Sequence, residues 1–295
     1  MPADLQDLRR RLDGIDDKLQ DLLIERFEIV LQVRAQKRED LTAPHQPARE
    51  AEILRRLIAR NGDPLPAETL VRMWREMLAG TTRLQGRFRI AVYAPSEAPG
   101  VWDVARDHYG SHSALLPYPS PGATIRAVAE GQAEIGVLPM PREEETDPWW
   151  RLLMAGGEQT PRVVARLPFG GRGNARAGGA DVLSIGRFAP QPSGRDRSLF
   201  ISETAPDISR GRMFSLFSSL GLDCTFLAIS NQADVVNSLI EFDGFVGLGD
   251  PRIERFREQL GAELFRLTEF GGYAEPLRLD SPAGRAAPEP MAAAR

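Results

Sequence analysis

The stretch that decides the fold is residues 5–38, LQDLRRRLDGIDDKLQDLLIERFEIVLQVRAQKR. It contains no proline and a single glycine, and its apolar residues recur at steps of three and four. This spacing is typical of a helix with one apolar stripe. Arg26 stands in the stripe where the spacing calls for a hydrophobic residue. Because a guanidinium buried without a partner is costly, we expect an anionic side chain or ligand at Arg26.

Composition describes an ordinary soluble protein. The 295 residues are 42% hydrophobic and 26% charged, which leaves room for two domains, and a net charge of −4 argues against a nucleic-acid partner. The single cysteine, Cys224, excludes an intramolecular disulfide and favours a reducing, cytoplasmic setting. Residues 1–4 lack a signal-peptide pattern, and no apolar run approaches the roughly 20 residues that span a membrane.

Two shorter helices follow the long one. The sequence predicts them at residues 48–60 and 66–84, separated from the first helix by Pro44 and Pro47 and from each other by a turn at residues 61–64. The first helix would be about 50 Å long at 1.5 Å per residue. Its apolar stripe is too long to be covered by two short neighbours, so we predict an intertwined homodimer in which the long helices pair.

From Phe88 the pattern changes to short alternating elements, which favours a parallel α/β sheet. We predict strands at residues 89–93, 115–118 and 135–138, and helices at 101–109, 124–130 and 149–154. Residues 170–179 are rich in Gly and Arg; a flexible loop is the simplest interpretation, because the segment matches no P-loop pattern.

The last third of the chain has the element order βαββαβ of a ferredoxin-like fold, with one extra predicted helix. The predicted strands are 197–202, 225–229, 245–248 and 264–268, and the predicted helices are 208–220, 233–241 and 252–260. The end, residues 281–295, is rich in Ala and Pro and is expected to be disordered.

Several polar residues occupy inward positions of the three N-terminal helices. Arg26 and Lys37 are eleven residues apart, so they lie on nearly one face, about 16 Å from each other along the axis. Two long cations at this spacing can converge on one small dianion. Four further polar residues continue the inward faces of helices two and three: Arg49, Glu50, Thr81 and Gln85.

This constellation resembles the all-helical chorismate mutases over residues 4–85. The shared landmarks are Leu8-Arg9, Ile15-Asp16, Glu25-Arg26, Lys37, Arg49-Glu50, Thr81 and Gln85. Gln46 departs from the family, in which this loop position is commonly acidic. The resemblance implies an all-helical domain that converts chorismate to prephenate without a metal or a cofactor.

The resemblance also implies a role for each landmark. Arg9, Arg26 and Lys37 would bind the substrate's carboxylates, and Lys37 and Gln85 would donate to its ether oxygen. Arg9 and Lys37 are 28 residues apart, about 42 Å on a straight helix, so they cannot share a small pocket within one subunit. We therefore predict that Arg9 acts in trans across the dimer.

The other landmarks belong to the ring side of the substrate. The resemblance implies that Glu50 holds the ring hydroxyl, while Arg49 and Thr81 support the ring. The rearrangement is unimolecular and needs no nucleophile or proton shuttle, so catalysis consists of holding the reactive conformer and stabilising charge on the ether oxygen. Rigid guanidinium forks suit the grip on carboxylates.

The second half of the chain resembles prephenate dehydratases, with two departures. Residues 89–93 and 131–139 match the family's strands. However, residues 140–143, Met-Pro-Arg-Glu, replace a Glu-Asn-Thr type motif, and residues 180–182, Ala-Asp-Val, replace a Thr-Arg-Phe motif. Only about forty residues separate the two regions, which is too few for a full second lobe. We therefore expect dehydratase activity to have been lost.

Residues 198–270 resemble an amino-acid-binding ACT module in element order, although its ligand-binding signatures at residues 204–207 and 229–231 are poorly kept. Feedback binding of an aromatic amino acid, phenylalanine above all, and a structural or dimerising role both stay open. His108 and His112 are spaced like a helical metal pair but have no third ligand in view, so we expect them at the surface.

These interpretations predict a multi-domain protein. Its parts are a helical mutase domain at residues 1–87, a truncated dehydratase-like α/β region at 88–195, an ACT-like α+β region at 196–278 and a disordered tail at 279–295. Three alternatives remain: a bifunctional chorismate mutase-prephenate dehydratase, an isochorismate pyruvate-lyase built on the same helices, and a non-catalytic amino-acid sensor.

Overall fold

The computed structural model describes residues 4–37, 45–143, 145–154, 156–157, 159–232 and 234–279. The helices are α1 Leu5–Lys37, α2 Pro47–Arg60, α3 Ala67–Gln85, α4 Gly100–Tyr109, α5 Pro121–Ala129, α6 Arg210–Ser219 and α7 Pro251–Leu260. The strands are β1 Arg89–Tyr93, β2 Ala114–Tyr118, β3 Ile135–Pro139, β4 Arg162–Leu167, β5 Val182–Gly186, β6 Asp196–Thr204, β7 Cys224–Asn231, β8 Val236–Asp243 and β9 Leu264–Ala274. Short 3₁₀ helices lie at Trp149–Leu153, Arg176–Gly178 and Gly261–Glu263.

The three N-terminal helices form where the sequence predicts them. Helix α1 is continuous over 33 residues, as the proline-free stretch requires. The described residues leave most of its apolar stripe uncovered, and the exposed stripe residues include Leu5, Leu8, Leu12, Ile15, Leu19, Leu22, Ile29 and Val33. The long helix thus presents most of its hydrophobic face to solvent in a single chain.

Helices α2 and α3 pack on the α/β region. Leu54 of α2 and Val71 of α3 are buried in one core with Ile90 and Val92 of β1. Arg55 of α2 donates four hydrogen bonds across the same contact, to the Ser193 carbonyl at 2.9 Å, the Ser193 hydroxyl at 2.9 Å, the Arg195 carbonyl at 2.7 Å and the Glu275 carbonyl at 3.0 Å. Two of the three N-terminal helices are therefore part of the core of the α/β region.

The nine strands form one sheet in the order β2-β1-β3-β5-β4-β9-β6-β8-β7. Strands β2, β1 and β3 are parallel, as the alternating pattern predicts. Strand β5 runs antiparallel to both β3 and β4, and β4 was not predicted from the sequence. The sheet is therefore mixed rather than wholly parallel, and the helix predicted at residues 149–154 is a 3₁₀ helix.

Strands β6 to β9 with α6 and α7 follow the predicted βαββαβ order, and their strand order β9-β6-β8-β7 is that of a ferredoxin-like sheet. This sheet joins the rest through β9 and β4, where Val163 pairs with Gly271. A Cβ atom at Gly271 would lie 2.2 Å from the Val163 carbonyl oxygen, so only glycine allows the two strands to meet.

Two predicted elements are wrong. The helix expected at residues 233–241 is strand β8, and the strand expected at 245–248 is irregular. Strand β8 lies between β6 and the edge strand β7 and is buried on both faces, so its apolar residues do not alternate. Val236, Leu239 and Ile240 happen to have helical spacing.

The predicted tail at residues 279–295 lies outside the described residues except for Leu279. The division of the chain into four parts stays a prediction. Within the described ranges, no helix has both the length and the apolar character needed to cross a membrane.

Candidate functional site

Arg26 lies where α1 contacts α3. The half-buried residues of this part of α1, Arg26, Phe27, Val30 and Arg34, share one face of the helix. Phe27 packs beside Gly80 of α3, since a Cβ atom at Gly80 would lie 3.5 Å from the ring. The Arg26 Nη1 atom is buried and has no hydrogen-bond partner among the described residues, and burial lowers the pKa of its guanidinium. The described residues therefore do not supply the anionic partner expected at Arg26 Nη1.

The last turns of α3 lie beside the same part of α1. Arg34 of α1 donates to the Leu84 carbonyl oxygen. Thr81 is buried, with its hydroxyl donating to the Leu78 carbonyl oxygen at 2.8 Å, and Gln85 is half-buried at the end of α3. Thr81 and Gln85 therefore lie on the same turns of α3 as Leu84, whose carbonyl oxygen accepts the hydrogen bond from Arg34 of α1.

Sequence reasoning missed a second cation at this contact. The Nη1 atom of Arg83 is also buried and without a hydrogen-bond partner in the described part of the chain. A Cβ atom at Gly80 would lie 3.9 Å from Arg83 Nη2 and close to Phe27, which places Arg83 at the α1–α3 contact. The available signal was Gly80 itself, because a glycine inside a helix allows a neighbouring helix to approach closely.

Glu50 lies on the side of α2 that packs against α3 and the α/β region. Its carboxylate accepts a hydrogen bond from Arg75 Nη1 at 2.7 Å and lies 3.1 Å from His45 Nδ1. All three side chains are buried. Burial alone would raise the pKa of the Glu50 carboxyl, but Coulombic attraction and hydrogen bonds to His45 and Arg75 outweigh burial and lower it. Glu50 is therefore an anion that is held within the chain.

Arg75 is the residue that sequence reasoning missed in this cluster. It lies on α3 next to Trp74 and was absent from the predicted inward face, yet it is only 5% exposed. Its guanidinium carbon lies 4.9 Å from the centre of the Phe169 ring, a cation–π distance. The signal that could have found it is Glu50, because a buried carboxylate requires a cation close by.

The remaining predicted site residues are spread along the helices. Arg49 was expected on the inward face of α2, but this is wrong. Arg49 is exposed because the buried face of α2 contains Glu50 and Leu54 instead. Its guanidinium is paired with Glu52 at 2.8 Å. Arg9 is exposed near the start of α1. Lys37 is the last residue of α1, and its side chain lies outside the described residues.

The expectation that His108 is a surface residue is also wrong, whereas His112 is exposed as expected. His108 is buried on α4, with its ring 4.7 Å from the Tyr109 ring. Burial, and then the positive charges of Arg75 and His45, lower the pKa of His108 well below its usual value. The imidazole is therefore neutral at pH 7.

The residues that depart from the dehydratase pattern line a cavity of about 950 Å³ beyond the carboxyl ends of β1 and β3. Met140 and Arg142 form one side, and Ala180 and Asp181 form another. Clefts at this end of parallel strands commonly hold ligands. The cleft is thus present, although its lining has changed from the family pattern.

At the contact between α1 and α3, Arg26 and Arg83 each have a buried Nη1 atom without a hydrogen-bond partner among the described residues, and such guanidinium groups can bind a small organic anion. Residues 8–86 match the sequence model of the family described as Chorismate mutase type II. The resemblance stated for residues 4–85 is thereby confirmed for the N-terminal segment.

Curated relatives match a little under half of the chain. The chain is 30% identical over 146 residues to a bifunctional chorismate mutase/prephenate dehydratase of Pseudomonas aeruginosa, a match that covers 48% of this chain and 40% of the relative. It is 26% identical over 141 residues to the enzyme of the same name from Aquifex aeolicus, covering 46% of this chain and 39% of that one. The chain therefore spans well under half the length of the relatives it matches.

Among solved structures, the chain is similar to a prephenate dehydratase from Streptococcus mutans, with 17% identity, a TM-score of 0.45, and coverage of 64% of this chain and 98% of the other. It is also similar to a quorum-quenching acylase, GqqA, with 16% identity, a TM-score of 0.46, and coverage of 64% and 95%. Likenesses at this level do not define an activity.

Proposed function

We propose that this chain is a chorismate mutase, which rearranges chorismate to prephenate in the biosynthesis of phenylalanine and tyrosine. The observation that carries this proposal is the match of residues 8–86 to the chorismate mutase type II family. The Nη1 atom of Arg26, which is buried and has no hydrogen-bond partner among the described residues, supports it, because a dicarboxylate supplies the anion that this position requires.

In the proposed mechanism, Arg26 and Lys37 hold the substrate's two carboxylates, together with Arg9, and so select the conformer in which the two reacting carbons meet. Lys37 and Gln85 donate to the ether oxygen, on which negative charge builds as the C–O bond breaks. Each part of this mechanism is binding or electrostatic stabilisation that increases toward the transition state. The proposal requires no metal and no cofactor.

The site is proposed to be shared by two chains. The exposed stripe of α1 supports pairing of two long helices, because a solvent-exposed apolar face of this length favours association. Arg9 and Lys37 lie near opposite ends of a continuous α1, so Arg9 reaches the site only from the partner chain.

Glu50 is proposed to hold the substrate's ring hydroxyl, with Thr81 on the ring side. Its carboxylate already meets Arg75 and His45. An ionised carboxylate has about four acceptor positions, so two contacts leave capacity for a hydroxyl donor. Arg75 and His45 would then fix the position of Glu50.

For the second half of the chain we propose loss of dehydratase activity. The altered lining at Met140, Arg142, Ala180 and Asp181 supports this, because these positions stand where dehydratases have their motifs. The ferredoxin-like part is proposed to have either a structural role or a regulatory role, with an aromatic amino acid as the effector.

Product analysis of the purified full-length chain tests these proposals. With chorismate, we expect prephenate to form and no phenylpyruvate to follow. Absence of chorismate turnover would overturn the proposed function, and phenylpyruvate would favour a bifunctional enzyme. Release of pyruvate from isochorismate would favour the lyase. An inactive chain that binds phenylalanine, tyrosine or tryptophan by calorimetry would favour the sensor.

A further inference from the structure

A cavity of about 410 Å³ lies between α3, α4 and the loop at residues 168–173. It is separate from the contact between α1 and α3. Its size falls within the range of small-molecule sites. The residues on which the argument depends are Thr69, Val71, Arg75, Val104, His108 and Phe169, all of which line the cavity.

Arg75 has unused hydrogen-bonding capacity in the wall of this cavity. Its Nη1 atom donates to Glu50 at 2.7 Å, while its Nε atom is buried and has no partner among the residues described. A guanidinium carries five N–H donors and gains most from a carboxylate that takes two of them in parallel. A second carboxylate, carried by a ligand in the cavity, would accept hydrogen bonds from the N–H donors of Arg75 that Glu50 does not use.

The rest of the lining fits a ligand with one charge and an apolar body. Val71, Val104 and Phe169 supply apolar surface, and His108 is neutral. At the rim, the cation Arg72 is already paired with Asp107 at 2.8 Å. The lining also includes the carboxylate of Glu68 and the cation Arg172, which lies 3.4 Å from Asp181. Arg75 is therefore the buried cation of this lining, and its remaining N–H donors can hold one carboxylate.

We propose that this cavity binds a small organic monocarboxylate with an apolar body. The carboxylate meets Arg75, and the body packs between Val104 and Phe169. Because Arg75 holds Glu50 as well, the ligand and Glu50 share one guanidinium, and binding of the ligand is coupled to the position of Glu50. Only the consequence for turnover rests on the proposed function; the binding itself does not.

The probe for this site is 3-phenylpropanoate, with 3-phenylpropanamide as its uncharged counterpart, titrated into the full-length chain by calorimetry. We expect the carboxylate to bind about tenfold or more tightly than the amide, because the charge-assisted bonds to Arg75 are lost with the amide. Equal binding of the two, or no binding of either, would overturn the proposal.

Two variants place the probe. Thr69→Trp puts a large side chain at an exposed position on the cavity wall, and we expect it to abolish binding, while Arg56→Trp at an exposed position of α2 leaves binding unchanged. This pair does not disturb the buried ions, so it decides the location even where Arg75→Met fails to fold. Binding that survives Thr69→Trp would contradict the assignment.

Glu50→Gln tests the shared guanidinium. Removing the competing charge is expected to tighten binding of 3-phenylpropanoate severalfold, and an unchanged or weaker affinity would overturn the coupling. None of these titrations uses chorismate. A chain that binds the probe but does not turn over chorismate would therefore refute the proposed function and support the binding site. A chain that turns over chorismate but does not bind the probe would refute the binding site and support the proposed function.

Discussion

Arg75 of α3 and Glu50 of α2 form a buried ion pair, with Nη1 2.7 Å from the carboxylate oxygen, on the side of the helices that packs against the α/β region. The pair connects helices α2 and α3. Glu50, which is proposed to bind the substrate, is therefore positioned by Arg75, and Arg75 lines a separate cavity.

The first prediction concerns the energy of this pair. Glu50→Leu leaves the Arg75 guanidinium buried with its main partner removed, so we expect a loss of about 3–5 kcal/mol in the free energy of unfolding. The double variant Glu50→Leu with Arg75→Met replaces both charges with apolar groups and should recover most of that loss. Urea unfolding of the two single variants and the double variant measures the coupling. Additive losses would show that the two side chains do not interact.

The second prediction concerns pH. His108 is held neutral in the fold, so the unfolded chain binds more protons there and stability falls as the pH drops below the ordinary histidine pKa of about 6.5. The groups acting on His108 are Arg75, His45 and the ring of Tyr109. Urea unfolding between about pH 7.5 and 5.5, above the range in which carboxylates titrate, should follow this slope.

His108→Gln is the matched variant, since it keeps a polar side chain that does not titrate. We expect it to flatten the dependence of unfolding free energy on pH. An equally steep slope in the variant would assign the effect to another group.

The third prediction concerns Arg55, which donates to two segments of the α/β region, the loop at Ser193 and Arg195 and the chain at Glu275. Arg55→Met leaves partly buried acceptors at Ser193 and Glu275 unpaired and should cost about 1–3 kcal/mol, with faster amide hydrogen exchange in α2. Arg56→Met, one residue along and exposed, is the control. Equal effects of the two substitutions would mean that the hydrogen bonds of Arg55 do not hold α2 in place.

The sequence predicted those parts of the fold that depend on local patterns. The continuous helix α1 follows from its apolar spacing, and the βαββαβ order follows from short alternating elements. Strand β8 was missed because burial on both faces removes the alternation that identifies a strand. The docking of α2 and α3 on the sheet depends on long-range partners such as Arg55 with Ser193, which no local pattern contains.

In the candidate site too, the residues that local patterns reveal were predicted, and those that depend on long-range partners were missed. Arg26 was found because it interrupts an apolar stripe on its own helix. Arg75 and His108 were missed because the groups that bury them, Phe169 and Tyr109 among others, come from other elements. Glu50 was found because it continues the inward face of α2, but its partners could be identified only in the fold.

The fourth prediction concerns the proposed sharing of the site between chains. Arg9→Ala and Arg26→Ala chains should each be nearly inactive, and a mixture should regain activity through heterodimers that contain one intact site. Chorismate consumption before and after subunit exchange measures the recovery. If exchange is verified and no activity returns, Arg9 does not act in trans.

The most direct measurement of the central claim is the rate of chorismate loss by the full-length chain, compared with that of Arg26→Gln. This substitution keeps hydrogen-bonding capacity but removes the charge proposed to hold a substrate carboxylate. The account predicts prephenate formation by the unaltered chain and a loss of at least about 100-fold in kcat/KM for Arg26→Gln, equivalent to about 2.7 kcal/mol of transition-state stabilisation, with no change in unfolding midpoint. Turnover of the variant at the rate of the unaltered chain, or no turnover by either, would contradict it.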